Sequence, residues 1–367
     1  MIAANSPVPR PADARLLVID GDGHVSQAPR ARWLDFLERG DLVVANDAAT
    51  LPASLHGTHL PTGEHIEVRL AGHLDGTARF IAIVFGRGNY RTRTEHRAPP
   101  PALRAGDRLA LGPVTATVER TLDHPRLVAI SFEASDGDLW AALARHGHAI
   151  QYAHVSEPLK LWDVWTKVAS VPVAFEPPSA GFVLTWAMLA AFAERGIGFA
   201  TLTHAAGISS TGDDELDKRL PFDEAYLIPE TTAAAIRKTK AEGGRVIAIG
   251  TSVVRALEHA SAGGALHAGR GVATGRLSSA SRLKLVDAIV SGVHAAGESH
   301  YELLRAFASD DALQNMQELA EARGFRNHEF GDFVLIERTR SNSLFCAFAD
   351  GNARMRYWRG EQEGLRS

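Results

Sequence analysis

Gly243-Gly244-Arg245-Val246-Ile247-Ala248-Ile249-Gly250-Thr251-Ser252-Val253-Val254-Arg255-Ala256-Leu257-Glu258 is the stretch from which the fold is read. Val246 to Ile249 is short, apolar and rich in β-branched residues, as a strand buried on both faces should be. Gly250-Thr251-Ser252 then supplies a tight turn with hydroxyls able to cap a following helix. The stretch predicts a β-turn-α unit, and its surroundings repeat the alternation. Residues 182–194 are predicted as a helix capped by Gly196, and 197–202 as a strand ending in Thr203-His204. Pro229 suits the N1 position of a helix reaching Glu242. Residues 285–293 follow as a strand ending at His294, then helices at 300–308 and 311–323, and strands at 333–337 and 344–348. Helix and strand in alternation predict an α/β fold with a largely parallel sheet and flanking helices.

Upstream, 15–20 reads as a strand running into the turn Gly21-Asp22-Gly23, and 31–38 as a short helix stopped by Gly40. Residues 42–45 form the next buried strand, which delivers Asn46-Asp47 at its C-terminal end. From 55 to 134 the period changes to short alternating runs, 65–70, 80–85, 108–111, 114–119 and 127–132, which predict an inserted small all-β barrel or sandwich. Arg91, Arg93, His96 and Arg97 fall in its polar loop, either as phosphate contacts or as solvated charges. The expected organisation is a flexible lead at 1–14, an α/β main domain from 15–54 and 148–337, and an inserted barrel-like domain at 55–147. A C-terminal strand and polar tail occupy 338–367.

At 367 residues, 45% of them hydrophobic, the chain can bury a large core. A net charge of -4 argues against a generally basic nucleic-acid-binding surface, although a local patch would not show in the total. The single cysteine, Cys346, permits neither an intramolecular disulfide nor a cysteine-held metal, and a reducing cytoplasm is the expected location. No apolar run has the length of a membrane span, so neither insertion nor export is expected.

Asp47, His204, Thr251-Ser252 and His294 each stand just beyond an apolar strand, where open α/β sheets place ligand-binding groups. Thr251-Ser252 at a helix start could hold an anion through backbone N–H groups, or could be a plain cap. Glu224, in Pro221-Phe222-Asp223-Glu224, is either an acid/base or a partner for a cation, or else an exposed loop carboxylate. Glycine-rich dinucleotide loops, P-loops, zinc-ligand spacings and nucleophile elbows are absent from the sequence.

Several blocks, in order, carry a resemblance. Gly40-Asp41-Leu42-Val43-Val44-Ala45-Asn46-Asp47 with Leu51-Pro52-Ala53, Pro178-Ser179-Ala180-Gly181 with Thr185, the stretch quoted first, Val286-Asp287-Ala288 through His294 to Ala306-Phe307, and Phe325-Arg326 with Phe330-Gly331-Asp332 are similar to the S-adenosylmethionine:tRNA ribosyltransferase-isomerases of queuosine biosynthesis. The resemblance spans about residues 15 to 337 and places a barrel where the β insert lies. It implies transfer and isomerisation of the ribosyl group of S-adenosylmethionine onto 7-aminomethyl-7-deazaguanine in tRNA, with adenine and methionine released. S-adenosylmethionine is then a substrate, no cofactor or metal is expected, and the partners are S-adenosylmethionine and tRNA. Carried onto this chain, the expected catalytic residues are Glu224, His204 and His294, and the expected substrate-binding residues are Asp47, Thr251, Ser252, Arg255 and Asp332.

Motif positions are also replaced. Val183 stands for a histidine, Phe222 for the histidine beside Glu224, Gly292 for an asparagine, Gly297 for a lysine, and Ala49 and Ser54 for arginines. Three activities are compatible with this pattern: the family reaction, a divergent reaction on S-adenosylmethionine or another nucleoside with a different acceptor, and non-catalytic binding of a nucleoside or RNA.

Overall fold

The computed structural model describes residues 1–7, 13–74 and 78–339. The expected strand at 344–348 and the polar tail lie outside the described residues. The main sheet has nine strands, in the order Gly269–Ala273, Glu224–Ile228, Gly198–His204, Leu42–Asn46, Val246–Ile249, Ala288–Gly292, Phe333–Glu337, Arg15–Ile19 and Val25–Pro29. Its four central strands, from Gly198–His204 to Ala288–Gly292, run parallel. Antiparallel neighbours join at both sides, so the sheet is parallel at its heart and mixed toward its edges.

The uninterrupted apolar runs of the central strands have a direct cause. Leu42, Val44, Val246 and Ala248 face one core with helices Thr251–Ala260 and Asp310–Ala322, while Val43, Ala45, Ile247 and Ile249 face a second core with Phe182, Met188 and Phe192. Successive side chains point to opposite faces, and both faces here are covered. No helix among the described residues is long and apolar enough to cross a membrane.

The all-β insert is a closed six-stranded barrel. Its strands Glu64–His73, Arg79–Phe85, Arg108–Leu111, Val114–Thr121 and Leu127–Phe132 lie where the alternation predicts them. The first, Ser54–His59, escapes the pattern because Leu55 is its one strongly apolar residue. Arg97 is neither a solvated loop charge nor a phosphate contact. It is buried and donates through Nη1 to Glu67, to which Arg69 Nε also donates at 2.6 Å. Burial raises the Glu67 pKa, but the two guanidiniums outweigh it and hold the group at about 2.

Local boundaries differ in ways that chemistry explains. The helix expected over 182–194 is a 3₁₀ turn, Ser179–Val183, followed by Trp186–Arg195, because the Thr185 hydroxyl accepts from Met188 N and starts a new helix. Gly196 ends it in the left-handed conformation at φ 70°. The short helix near 31–38 is a 3₁₀ segment, Arg30–Phe36. Pro229 is the N-cap of Glu230–Ala241 rather than N1. Gly250, at φ 94°, is the N-cap of Thr251–Ala260 and no side chain caps that helix, so the expected capping role of the Thr251 and Ser252 hydroxyls is not realised.

Glu258, the last residue of the opening stretch, is buried and closes the loop that leads into Ala288–Gly292. Its carboxylate accepts from Lys284 N at 2.7 Å, Leu285 N at 3.0 Å and Val286 N at 2.9 Å. Glu258→Ala leaves three backbone donors without this acceptor, and we expect a loss of about 3 kcal/mol of unfolding free energy, read by urea denaturation. A loss well under 1 kcal/mol would show that water replaces the carboxylate without penalty.

Candidate functional site

The parallel strands end at a polar rim, and Asn46 organises it. Its Oδ1 accepts from His204 N at 2.9 Å and Ala48 N at 3.0 Å, while its Nδ2 donates to His204 O at 2.9 Å and lies 3.4 Å from Ser252 Oγ. One amide thereby fixes the backbone beneath His204 and ties it to the first turn of the Thr251–Ala260 helix.

The His204 ring is wholly buried, and neither ring nitrogen has a hydrogen-bond partner. Nε2 approaches Glu224 Oε2 at 3.5 Å without hydrogen-bond alignment. Burial, aided by the Arg255 charge, pushes the imidazole down to about 3, so the ring is neutral near pH 7. Glu224 is not a loop carboxylate but the buried first residue of Glu224–Ile228. Its Oε2 accepts from Arg255 Nη1 and its Oε1 from Gly207 N at 2.5 Å. Burial raises its pKa above the ordinary carboxylate range, against the opposing pull of Arg255 and of Gly207 N–H. A Cβ at 207 would stand 3.0 Å from Oε1, which accounts for glycine there. Arg255 Nη2 lies 3.2 Å from each of the Phe222, Ala273 and Gly275 carbonyls, so the guanidinium joins the helix to the edge strand Gly269–Ala273 and to the loops at 222 and 275.

The remaining expected residues divide. Thr251 and Ser252 are half-buried at the helix start above the rim. Asp47 accepts from the Thr201 and Thr203 hydroxyls at 3.0 and 2.7 Å. Those side chains alternate with Leu202 and His204, which puts the Asp47 carboxylate on the opposite face of the sheet from the His204 ring. Asp332 is buried, and its carboxylate accepts from Arg15 N at 2.8 Å, Arg326 N at 2.8 Å and Arg15 Nη2 at 3.0 Å. Those bonds make it a clip between chain segments, away from the His204 group.

His294 belongs to a second polar group that sequence reasoning did not assemble. Its ring stacks on His300 with centroids 4.6 Å apart, and its Nδ1 lies 3.1 Å from Glu298 Oε2. A Cβ on Gly292 would lie 3.5 Å from His294 Nε2 and 3.9 Å from His328 O, which places His328 beside it. His328 stacks on His154, centroids 4.3 Å apart, and His154 Nε2 is 3.0 Å from Glu329 Oε2. Tyr152 lies near-parallel to His154, centroids 6.3 Å apart, and donates its hydroxyl to Glu176. Burial lifts Glu176 to about 7. Burial also lowers His300, and Arg255 is among the charges acting on it, so the two groups sense one another. Tyr152, His154, Glu176, His300, His328 and Glu329 come from four segments distant in sequence, and no spacing signals their meeting.

Two sets of three donors lie close enough together to share an ion, His154 with His328 and Glu329, and the more exposed Asp20 with Asp22 and His24. Neither includes a residue expected to bind substrate.

The neutral state of His204 has a measurable consequence. Its folded pKa lies below the ordinary histidine value near 6.5, so the unfolded chain binds the proton first and acid favours unfolding. Stability contributed this way is complete above pH 6.5 and is lost as pH falls toward 3. We expect His204→Phe to reduce the acid slope of unfolding free energy by about 1.4 kcal/mol per pH unit between pH 6 and 4. Parallel curves for the two proteins would mean that the ring protonates without cost.

Sequence comparisons match most of the chain. The family model described as "Queuosine biosynthesis protein" matches residues 1–336. The S-adenosylmethionine:tRNA ribosyltransferase-isomerase of Citrifermentans bemidjiense is 32% identical over 345 residues, covering 91% of this chain and 96% of that one. The protein of the same name from Acidiphilium cryptum is 32% identical over 349 residues, covering 92% and 96%. A crystal structure of S-adenosylmethionine tRNA ribosyltransferase from Thermotoga maritima aligns over 91% of this chain and 96% of its own, at 22% identity and a TM-score of 0.48. With a family model matched from residue 1 to residue 336, this chain belongs to the queuosine biosynthesis protein family.

Proposed function

We propose that this chain transfers and isomerises the ribosyl group of S-adenosylmethionine onto 7-aminomethyl-7-deazaguanine in tRNA, giving the epoxyqueuosine base and releasing adenine and methionine. The observation that carries the reading is the buried group of Glu224, Arg255 and His204 at the strand ends. A histidine with both nitrogens unpartnered is costly to bury, and a ligand offering a donor and an acceptor removes that cost. A carboxyl group lifted above its usual range beside it suits proton transfer near neutral pH.

In this reading Glu224 is the acid/base, Arg255 holds it in place and adds positive charge, and His204 meets the nucleoside as a neutral ring. Backbone N–H groups at the start of Thr251–Ala260, with the Thr251 and Ser252 hydroxyls, take the methionine carboxylate, as helix N-termini favour anions. His294, buttressed by Glu298, serves the acceptor side. S-adenosylmethionine supplies the transferred group itself, so the reaction calls for no added cofactor. The setting is the cytoplasm, where tRNA is available.

A second reading keeps S-adenosylmethionine but changes the acceptor, and the replaced positions favour it. Val183 is packed in the apolar core where the motif has a histidine, and Gly292 and Gly297 carry no side chain where it has asparagine and lysine. An RNA acceptor loses a cation and a hydrogen-bonding group by these changes.

Incubation with S-adenosylmethionine and tRNA bearing the aminomethyl-deazaguanine, followed by mass spectrometry, tests both readings. We expect adenine release that depends on the modified tRNA. Glu224→Gln should lower it about 10²- to 10⁴-fold while S-adenosylmethionine still binds in calorimetry. Binding without adenine release would favour the second reading, and absence of binding would overturn both, leaving a reaction on another nucleoside or a non-catalytic role.

A further inference from the structure

Outside the group of His204, Glu224 and Arg255, three donors stand together that the proposed reaction does not use. His154, His328 and Glu329 each offer one ligand atom, and these atoms all lie within 4.8 Å of one another. We propose that they bind one divalent transition-metal ion of the zinc type, with an open coordination position toward the neighbouring pocket. The inference is independent of the ribosyl-transfer reading.

The donor set fits that class of ion. Two imidazoles and one carboxylate suit zinc and its neighbours, whereas calcium and magnesium favour all-oxygen shells. Three protein ligands, rather than four, leave a position for water or a ligand. Zinc bonds of about 2.0–2.2 Å lie in the plane of each imidazole, so the stacked rings of His154 and His328 must tilt toward one another as the ion enters.

The surroundings hold these donors in place. His154 lies near-parallel to the rings of Tyr152, planes 9° apart, and His328, planes 16° apart. Glu329 Oε2, at 3.0 Å from His154 Nε2, is already beside the same nitrogen. His328 has φ 66°, one of two non-glycine residues with positive φ among the described residues. Gly331 N donates to its carbonyl at 3.0 Å and holds the turn. Backbone in this sparsely populated region persists only where its surroundings impose it, and such positions concentrate at functional sites. A bare ion pair between His154 and Glu329 would need neither His328 nor its unusual backbone.

Access is also present. His154 and Glu329 line a pocket together with Tyr152, Glu176, Pro177 and Phe330, so an ion held there would be reached from that pocket.

The test uses the full chain without an affinity tag, stripped with a chelator and dialysed against Zn²⁺ or Co²⁺. We expect one equivalent of Zn²⁺ by elemental analysis, and visible ligand-field bands of a low-symmetry site on Co²⁺ loading. His154→Phe keeps the aromatic stack but removes a ligand, and His328→Gly keeps the positive φ but removes the other imidazole. Each should weaken Zn²⁺ binding at least about 100-fold, the upper end of what loss of even an outer-shell partner costs. Circular dichroism and the unfolding midpoint establish that each variant is folded. His24→Ala, in the more exposed donor set, should leave uptake unchanged. The proposal is overturned if the stripped chain takes up no stoichiometric ion, if folded His154→Phe and His328→Gly bind as tightly as the parent, or if uptake is lost with His24→Ala. Metal content is read directly, so failure of S-adenosylmethionine turnover does not bear on it.

Discussion

The ion pair between Glu224 and Arg255 is the constraint on which the rim depends. Both charges are buried, and an isolated charge there would cost several kcal/mol, so neither side chain is free to move alone. Through Arg255 the pair reaches the carbonyls of Phe222 before Glu224–Ile228, of Ala273 on the edge strand and of Gly275 beyond it, and through Glu224 it reaches the loop at Gly207. The helix that follows the central strand is thereby locked over the edge of the sheet. His204, held from below by Asn46, is left as the group with unsatisfied polar atoms. Rigid surroundings with one unsatisfied member are what a binding site requires.

Much of the scaffold was legible because burial on two faces leaves a plain record. Val246–Ile249, Phe333–Glu337 and five barrel strands follow from apolar run length or alternation alone. The two strands at one end of the sheet were missed for the same physical reason. Gly269–Ala273 and Glu224–Ile228 pair antiparallel at the rim of the sheet, where one polar face is tolerated and the apolar signal thins. With Glu224–Ile228 unseen, Glu224 looked like a candidate loop residue, although it is the buried anchor of the rim.

The candidate site was legible only in part. Position after a strand drew notice to His204 and His294, but it cannot tell which face of the sheet a side chain takes. Asp47 and His204 therefore looked equivalent, whereas the thread of hydrogen bonds to Thr201 and Thr203 turns Asp47 away. Asp332 drew notice through its motif, yet its oxygens are engaged with Arg15 and Arg326, so its place in the pattern is accounted for by folding. The second group needed three-dimensional proximity, since residues 152–154, 176, 294–300 and 328–329 meet only across the packed molecule.

The way the barrel is attached bears on how such a chain can change over generations. Ser54 and His148 exchange both backbone hydrogen bonds at 2.9 Å, so the outgoing and returning segments lie side by side where the barrel leaves the sheet. A segment whose ends are already neighbours adds little closure entropy to the host, whatever its length. The sheet can tolerate drift, lengthening or exchange of the barrel while its own strand order stays untouched. The barrel and the core scaffold can thus evolve at different rates within one polypeptide.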